Sequence, residues 1–401
     1  GAGVLDYVSA WYYRAAQYIK NTKIRTGFVS TNSIIQGEQI GLLWNELLNN
    51  YNIKIQFAHT TFNWSNEAKG KAAVHCVIIG FANYDSKNKY LFEYDDINGE
   101  PFQKKVKNIN PYLIEADDLL ILKRRNPICN VSNISFGSMP NDGGNFLFTD
   151  EEKVIFLKLE PNSAKFFKPL ISAREFLNGK KRWCLWLKDI KPNELRVLKE
   201  VQNRIENVKN LRLSSSRKAT QKLAAFPTLF GEIRQPESNY ILIPLHSSEK
   251  RKYIPMGFKS KDDIANNSTS VVANAGLYDF GVLQSKMHMA WVKYTCGRIK
   301  SDYRYSNEMV YNNYPWPKMV SEKNKNKVEE KAQKVLDIRS EFIDSSLADL
   351  YYELTMPPKL IKAHQDLDKA VDLCYSSKVF KNESERIQHL FELYSQITIN
   401  G

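Results

Sequence analysis

The first 82 residues carry the pattern that most restricts how this chain can fold, because their apolar side chains repeat with two different periods. Spacings of three and four predict amphipathic helices, and short continuous apolar runs predict buried strands. The predicted elements are, in order, a helix over 4–19, a strand over 24–29, a helix over 40–51 and strands over 53–57 and 72–81. This order is typical of the closing half of an α/β sheet.

Half of such a sheet cannot cover both of its own faces. We therefore expect residues 1–82 to be the remainder of a domain whose opening strands lie upstream of this chain. The alternative is a complete small α/β domain of about 80 residues.

After residue 84 the pattern changes to short strands and polar turns. Asn98 and Gly99 follow the alternating run 90–94, and Asn-Gly suits the positive φ angles of a tight turn, so a β-hairpin is predicted here. The other predicted elements of this stretch are strands over 154–159, 183–187 and 240–243 and an exposed helix over 192–210. We interpret the stretch as an α+β domain.

The last part of the chain reads as helical, and we expect it to form a small helical bundle. The predicted helices lie near 321–353, 359–376 and 383–397, with a Pro-Pro break before the second. The fold class is therefore a multi-domain α/β and α+β protein with domains over 1–83, 84–320 and 321–401. A chain of 401 residues, 43% hydrophobic and 12% aromatic, is too long for one ordinary core and too apolar to be disordered.

Cysteine usage and hydropathy limit the compartment. The five cysteines are odd in number, far apart and without a C-x-x-C pair, so the sequence suggests neither a disulfide framework nor a zinc knot and is consistent with a reducing cytoplasm. No secretory signal is visible, and no apolar run approaches the roughly 20 residues that span a bilayer. We expect no membrane partner.

Positive charge is concentrated in one region, 204–261. This region holds twelve Lys or Arg and four Glu, so it carries +8 of the net charge of +13. Interleaved Ser and Thr hydroxyls complete a mixture typical of contacts to DNA phosphates, although a solvated basic face is the alternative. The candidate DNA-binding residues here are Arg212, Arg217, Lys218, Arg234, Lys250, Arg251 and Lys252. A second cluster, Arg298, Lys300 and Arg304, suits DNA contact and domain packing equally well.

Signatures of catalysis are sparse in this sequence. There is no G-x-x-x-x-G-K-S/T loop, no G-x-G-x-x-G between strand and helix, and no H-E-x-x-H spacing. Neighbouring acidic pairs such as Asp95 and Asp96 are interpreted as surface charge. We assign no metal site and no catalytic residue to this chain.

Seven blocks of the sequence share residues with one protein family. They are DYVSAWY (6–12), FVSTNSI (28–34), GEQ (37–39), FNWSNEAKGKAAV (62–74), GSMPNDGG (137–144), RWCLWL (182–187) and SDYRY (301–305). Together they resemble the MmeI-like family of adenine-specific DNA methyltransferases and type IIG (IIL) restriction-modification enzymes. The blocks span most of the chain.

The resemblance implies a domain for each part of the chain. Residues 1–83 would be the C-terminal half of a class I, Rossmann-like methyltransferase domain, 84–320 a DNA target-recognition domain and 321–401 a C-terminal helical domain. The implied reaction is transfer of a methyl group from S-adenosylmethionine to the exocyclic amine of adenine in duplex DNA. In the family, a nuclease and a helical connector come before the methyltransferase.

This sequence departs from the family pattern in one respect. The glycine-rich cofactor loop and the Asn-Pro-Pro-Tyr/Phe catalytic motif belong upstream of the block at 6–12, and neither occurs here. The resemblance therefore implies a C-terminal fragment of a bacterial or archaeal enzyme, with no cofactor and no methyltransferase activity of its own. Its implied partners are double-stranded DNA and the missing N-terminal part of the same polypeptide.

An extruded base needs an aromatic or apolar wall to stack on. Phe62 and Trp64 fall between two predicted strands, where this fold class carries such a wall, and we expect one of them to face the base. Packing beneath the sheet is the alternative for each. Ser30, Thr31 and Asn32 end another predicted strand, where α/β sheets place ligands, but loop capping suits them equally.

Two other functions compete with this reading. A stand-alone adaptor that binds DNA or another protein without catalysis predicts a closed fold at the amino terminus, whereas a fragment predicts an incomplete sheet edge. RNA binding is weakened by the absence of an RNP-like aromatic strand.

Overall fold

The computed structural model describes residues 3, 5–64 and 74–399 of the chain. The strands are β1 Thr26–Thr31, β2 Lys54–Trp64, β3 Val74–Ala82, β4 Lys89–Glu93, β5 Phe102–Val106, β6 Ile134–Phe136, β7 Leu147–Phe148, β8 Phe167–Ile171, β9 Trp183–Leu185, β10 Tyr240–Pro244, β11 His246–Ser247, β12 Gly257–Lys259, β13 Ile264–Ala265, β14 Thr269–Ala273, β15 Gly297–Ile299 and β16 Asp302–Arg304. The helices are α1 Val8–Tyr18, α2 Gly37–Gln39, α3 Asn45–Asn49, α4 Asp150–Leu159, α5 Ala173–Asn178, α6 Pro192–Leu195, α7 Lys199–Leu213, α8 Lys218–Lys222, α9 Leu277–Leu283, α10 Lys286–Thr295, α11 Glu322–Ser340, α12 Leu347–Leu350, α13 Pro358–Tyr375 and α14 Glu383–Ile399.

These elements form two compact units, each built from separate stretches of the chain. Unit 1 comprises Gly1–Asn130, Lys286–Lys318 and Tyr375–Gly401, and unit 2 comprises Val131–Ser285 and Met319–Cys374. The multi-domain α/β and α+β class expected from the sequence is confirmed. The functional boundaries at 83 and 320 stay a prediction.

Unit 1 is built on a mixed five-stranded sheet with the strand order β1-β3-β2-β4-β5. β1 and β2 both run antiparallel to β3, and β4 runs parallel to β2. The carboxyl ends of β1, β2 and β4 therefore lie at one edge of the sheet, which we call the carboxyl edge. The apolar run predicted as the last strand is β3, whose Val77, Ile79 and Phe81 are buried.

Helix α1 covers this sheet, as its apolar stripe predicts. The ring of Tyr12 stacks on Phe81 with centroids 5.6 Å apart, and its hydroxyl lies 2.9 Å from the hydroxyl of Ser30. The predicted second helix is also present, because the π-helical stretch Ile40–Trp44 joins α2 to α3. The predicted hairpin is formed by β4 and β5, which extend the same sheet to Val106.

Unit 2 contains two four-stranded sheets, with orders β12-β10-β14-β6 and β13-β8-β9-β7. β10 is buried along its whole length, as its apolar sequence predicts. The predicted strand at 183–187 is β9. The predicted exposed helix is present as α6 and α7, but α7 buries Val201, Ile205 and Val208.

The predicted strand over 154–159 is wrong, because these residues form the end of helix α4. The side chain of Thr149 accepts a hydrogen bond from the Glu152 backbone, and the Glu152 side chain accepts one from the Thr149 backbone. This capping box and the acidic first turn stabilise a helix start, which outweighs the β-branched residues that follow.

The C-terminal region is helical, as predicted, and its helices divide between the two units. In unit 2, α11 packs on α9 so closely that a Cβ added to Gly281 would lie 2.6 Å from Val328 Cγ1. In unit 1, α14 packs on α10, with the rings of Trp291 and Phe391 5.7 Å apart. The amphipathic pattern predicts these helices without saying what each one covers.

Candidate nucleic-acid interface

The carboxyl edge of the unit 1 sheet carries polar groups at the end of β1. Ser30 is buried and bonded to Tyr12, so it supports α1 and is not free for a ligand. Asn32 follows β1 and donates a hydrogen bond of 3.4 Å from Nδ2 to Thr61 Oγ1 of β2. The end of β1 is therefore adjacent to the end of β2.

Phe62 and Trp64 lie at the end of β2 and not in a loop, which corrects their predicted position. Phe62 pairs with Cys76 of β3, and Trp64 pairs with Val74. Their side chains share one face of the sheet because they are two residues apart. Phe62 is half-buried, and Trp64 is 46% exposed.

A bulge in β2 adds His59 to the same face. Its partner in β3 is Ile78, and Phe62 pairs with Cys76, so β2 has one more residue than β3 in this interval. In a regular strand, side chains three positions apart point to opposite faces, but the bulge places the ring centroids of His59 and Phe62 only 6.4 Å apart.

Two aromatic residues of β4 and the turn after it complete the group. Phe92 pairs with His59 in the parallel register, and their rings stack 4.2 Å apart. Tyr94 stacks on Phe62 at 5.4 Å, and Trp64 lies 6.2 Å from Phe62. We call His59, Phe62, Trp64, Phe92 and Tyr94 the aromatic cluster.

The aromatic cluster is held by a hydrogen bond as well as by stacking. His59 Nδ1 lies 2.9 Å from the hydroxyl of Tyr94. Burial lowers the pKa of His59 below its ordinary value of 6.5, so the ring is neutral at pH 7. The cluster is thus an uncharged, partly exposed aromatic surface, which suits stacking on a planar ring.

Sequence reasoning found Phe62 and Trp64 but missed the other three members. Strict alternation places His59 on the wrong face, since the bulge has no signal in the sequence. Phe92 and Tyr94 belong to the hairpin after residue 84, and only the parallel pairing of β4 with β2 brings them to this edge.

Arg212 is not available to DNA, which corrects its proposed role. The side chain has no exposed surface and donates only to backbone carbonyls of the protein. Burial lowers its pKa. We therefore remove Arg212 from the proposed DNA contacts.

The other candidate basic residues of unit 2 differ in how exposed their side chains are and in whether they already bind a group of the protein. Arg217, Lys218, Lys250 and Lys252 are exposed. Arg251 is half-buried, and its Nη1 donates to Ser247 Oγ over 3.3 Å.

Arg234 is exposed but already has partners within the protein. Its guanidinium forms an ion pair with Glu232 and donates to the Gly137 carbonyl over 3.4 Å. A DNA phosphate would have to compete with both groups.

The second basic cluster forms the β15–β16 hairpin of unit 1. Lys300 lies in its two-residue turn with φ of 56°, and both Lys300 and Arg304 are exposed. Arg298 packs over the Tyr303 ring at 3.9 Å and donates 2.8 Å to the Ser301 carbonyl. Two of these three side chains are therefore free for a ligand, and one stabilises the hairpin.

The hairpin lies against the helix that follows β1. A Cβ added to Gly37, which has φ of +55°, would lie only 3.0 Å from the Cα of Gly297. Glycine is required at position 37 for both the backbone angle and the contact. This contact ties the basic hairpin to the segment that leaves the carboxyl edge.

Within residues 3, 5–64 and 74–399, no group of three or more His, Cys, Asp or Glu side chains could hold a metal ion. No helix there has the length and hydropathy needed to cross a bilayer.

Three family models match the chain in succession. The MmeI DNA-methyltransferase domain matches residues 1–93, the MmeI target recognition domain matches 115–318 and the MmeI C-terminal domain matches 320–400. The match to the target recognition domain alone covers half of the chain.

Two known proteins are similar over the whole chain. DNA methyltransferase A of Bacillus subtilis (strain 168) is 42% identical over 396 residues, which are 98% of this chain and 44% of that protein. The structure of the type IIL restriction-modification enzyme MmeI in complex with DNA superposes with a TM-score of 0.87 at 48% identity, over 100% of this chain and 53% of that one. The chain thus spans about half the length of these relatives. It belongs to the MmeI family of DNA methyltransferases and restriction-modification enzymes, and it carries methyltransferase, target-recognition and C-terminal domain sequence of that family.

Proposed function

We propose that this chain is the C-terminal part of a restriction-modification DNA adenine methyltransferase and provides duplex recognition together with part of the base-binding side. The aromatic cluster carries the proposal. A base inside a duplex must be extruded before its amine can be methylated, and the extruded ring needs a stacking surface. Trp64 and Phe62 offer such a surface at the edge of the sheet where α/β folds bind ligands.

Recognition of the surrounding duplex is assigned to residues 84–320, between a methyltransferase part over 1–83 and a helical domain over 321–401. The exposed Arg217, Lys218, Lys250 and Lys252 support phosphate contacts. Arg234, Arg251, Arg298, Lys300 and Arg304 are proposed as further DNA contacts, and of these Arg234, Arg251 and Arg298 would have to exchange a partner in the protein. Base readout then depends on side chains that enter a groove.

The methyl donor of the whole enzyme is proposed to be S-adenosylmethionine, which supplies an electrophilic methyl group when bound. The described residues do not fit its cradle. The segment after β1 is the short helix Asn32–Ile35, and the segment after β4 is an Asp-rich turn, so neither is a glycine-rich loop. Gly37 packs against the backbone of Gly297, so it is not open to a cofactor. No step of the reaction is therefore assigned to cofactor contacts in this chain.

The flank of unit 1 around β1 is proposed to bind the upstream part of the same polypeptide. In the described residues β1 pairs on one side only, with β3, and Val29 is 52% exposed. Tyr7, which precedes helix α1, and Trp11 and Tyr18 of that helix expose their rings to solvent. An open strand edge beside exposed aromatic side chains supports a protein interface and argues against a closed, stand-alone adaptor.

The proposed compartment is a reducing cytoplasm. All five cysteines are free thiols, and burial raises the pKa of Cys296 to about 12, which keeps that thiol protonated and unreactive.

Methyl transfer with and without the upstream sequence tests the proposed function. The chain alone is expected to bind no S-adenosylmethionine by calorimetry and to transfer no methyl group. The chain joined to its upstream sequence is expected to methylate adenine in duplex DNA. Tight cofactor binding by the chain alone would contradict the fragment assignment, and methylated cytosine in the product would contradict the proposed target base.

A further inference from the structure

One buried arginine in unit 2 uses its whole hydrogen-bonding capacity on the backbone. A guanidinium has five N–H donors. Those of Arg212 reach the carbonyls of Asn141 at 3.0 Å from Nε, Leu223 and Phe226 at 3.1 and 3.0 Å from Nη1, and Pro140 and Leu229 at 3.2 and 2.7 Å from Nη2. No donor is left over, and the side chain is fully buried.

The carbonyls that Arg212 binds belong to two separate loops. One loop spans 140–145, and its Pro140 and Asn141 lie 72 and 71 positions before Arg212 in the chain. The other loop spans 223–229. Together with Arg212, we call these two loops the Arg212 clamp. A neutral apolar side chain could fill the same space, but it would remove this donor from the carbonyls of Asn141 and Leu229 and leave those of Pro140, Leu223 and Phe226 with a backbone donor alone. The clamp therefore holds backbone in place and does more than fill volume.

The first loop of the clamp is a glycine turn with a fixed conformation. Gly143 and Gly144 have φ of +63° and +85° and are exposed. The buried carboxylate of Asp142 accepts hydrogen bonds from the Gly144 and Phe146 backbones at 3.1 and 2.6 Å. A Cβ at Gly143 would lie 2.9 Å from Leu211 Cδ2, so the turn packs on the end of α7.

The second loop closes the basic segment that follows α7. The bond from Arg212 Nη1 to the Leu223 carbonyl ties the two ends of the segment that contains α8. Arg217 and Lys218 lie between those ends, and both are exposed. Closing a short segment restricts where its charged side chains can lie.

We infer that Arg212 is a positioning residue for duplex recognition, which sets the glycine turn and the basic segment of α8 in one fixed arrangement on unit 2. The inference rests on the proposed function, because it assigns Arg217 and Lys218 to DNA phosphates. Arg212 itself touches no DNA. Its role is to keep two phosphate-binding side chains and an exposed turn at a constant spacing, so that they can meet the duplex together.

Arg212→Lys tests the inference, since lysine keeps the charge but has only three donors. Val208→Ala is the matched control, because Val208 is a buried residue of the same helix that makes no bond to either loop. Amide hydrogen exchange, melting, the salt dependence of duplex binding and sequence selection from random duplex DNA are measured for both variants. Temperatures are chosen so that the two variants have the same folded fraction.

We expect amide exchange in both loops to rise at least about tenfold in Arg212→Lys and to stay unchanged in Val208→Ala. The log–log salt slope of Arg212→Lys is expected to flatten by up to about two units, the effect of losing two phosphates. Its preference for the selected sequence is expected to fall by about five- to 150-fold, the range produced by one mismatched base pair. Val208→Ala is expected to keep the slope and the preference of the natural chain.

A natural slope and preference in Arg212→Lys would overturn the positioning role, and so would equal losses in Val208→Ala. If Arg212→Lys does not fold, Asp142→Asn replaces it, because one of the two carboxylate acceptors of the glycine turn is then lost while Arg212 stays intact. Asp142→Asn is expected to lower the sequence preference, and an unchanged preference would overturn the inference. Absence of duplex binding by the natural chain would instead contradict the proposed function.

Discussion

The rings of Phe62 and Tyr94 lie nearly parallel, with planes 23° apart and centroids separated by 5.4 Å. One face of Phe62 is therefore used by the protein itself. The Trp64 ring is tilted by 53° to Phe62 and is 46% exposed, so more of its surface is free. Of the two aromatic residues that the sequence singles out, we expect Trp64 to face the extruded base and Phe62 to support it.

Alanine substitution of the two residues separates stacking from support. In the whole enzyme, Trp64→Ala is expected to slow methyl transfer by about five- to 150-fold, which corresponds to a stacking energy of about 1–3 kcal/mol. Its melting temperature and duplex affinity are expected to change little, because the side chain is exposed and duplex recognition is proposed to lie in residues 84–320. Phe62→Ala is expected to lower the stability of the chain by about 1–3 kcal/mol, because its ring contacts three other aromatic rings. Melting and turnover of each variant give the answer.

A mismatched target base is the control for the stacking assignment. Extrusion from a mismatch costs less, so part of the lost rate of Trp64→Ala is expected to return with that substrate. Full activity of Trp64→Ala on the matched duplex would remove it from the base site. Unfolding of both alanine variants would assign the pair to the core.

The charge on α8 is expected to control the salt dependence of duplex binding. Each phosphate contact contributes about −0.9 to the log–log slope, so Arg217→Ala with Lys218→Ala is expected to flatten it by up to about two units. The matched control is Lys323→Ala with Lys327→Ala, which removes the same charge from an exposed face of α11. Binding isotherms at several salt concentrations measure both. An equal change in the control pair would reduce the effect to net charge, and no change in either would move the DNA-facing surface to Arg298, Lys300 and Arg304.

The ring of Phe57 lies over Gly80, and we expect any larger side chain at position 80 to destabilise the chain. A Cβ added to Gly80 would lie 2.0 Å from Phe57 Cε1, whereas one added to its partner Gly27 would come no closer than 3.8 Å to that ring. Gly80→Ala is expected to destabilise the chain by about 1–3 kcal/mol, and Gly27→Ala to be neutral or stabilising by up to about 1 kcal/mol. Chemical denaturation measures both variants. In the Phe57→Ala background the cost of Gly80→Ala is expected to disappear, and its persistence there would rule out the ring contact as the cause.

Acidification is expected to destabilise unit 1 through His288. Burial lowers the pKa of this histidine from 6.5 to about 3, while its Nε2 lies 3.0 Å from the Tyr305 hydroxyl. Below pH 6.5 the unfolded chain binds a proton that the folded chain does not, so stability is present above 6.5 and is lost as the pH falls towards 3. At pH 5 the loss is about 2 kcal/mol.

His288→Gln is the variant that checks this assignment, because glutamine can keep a hydrogen bond to Tyr305 without titrating. Unfolding free energies between pH 7 and pH 5 are expected to depend less steeply on pH in the variant, by about one proton. His364 is also buried with a lowered pKa and remains in the variant, so some pH dependence is expected to stay. An unchanged slope would assign the pH dependence to other groups.

The helices, strands and turns that the sequence predicts depend on residues that are close together in the chain. The stripe of α1, the charged helical pattern over 192–210, the apolar run of β3 and the Asn-Gly turn between β4 and β5 are patterns over fewer than about 20 residues. The family blocks add the content of the first two predicted domains, because four of them fall within 1–83 and three within 84–320. The strand predicted at 154–159 shows the limit of such patterns, since the capping box of Thr149 and Glu152 decided for a helix.

Long-range packing decided the rest. The aromatic cluster needs a bulge in β2 and a parallel pairing with β4, and neither has a signal within a short window of sequence. The sequence places Arg212 in a basic region, but only the fold brings carbonyls from Pro140 and Leu229 to its guanidinium and removes it from solvent. Composition and periodicity determine which segments are helical, extended or charged, because these depend on neighbours in the chain. Which side chains meet at a site depends on contacts between distant segments, and these exist only once the chain has folded.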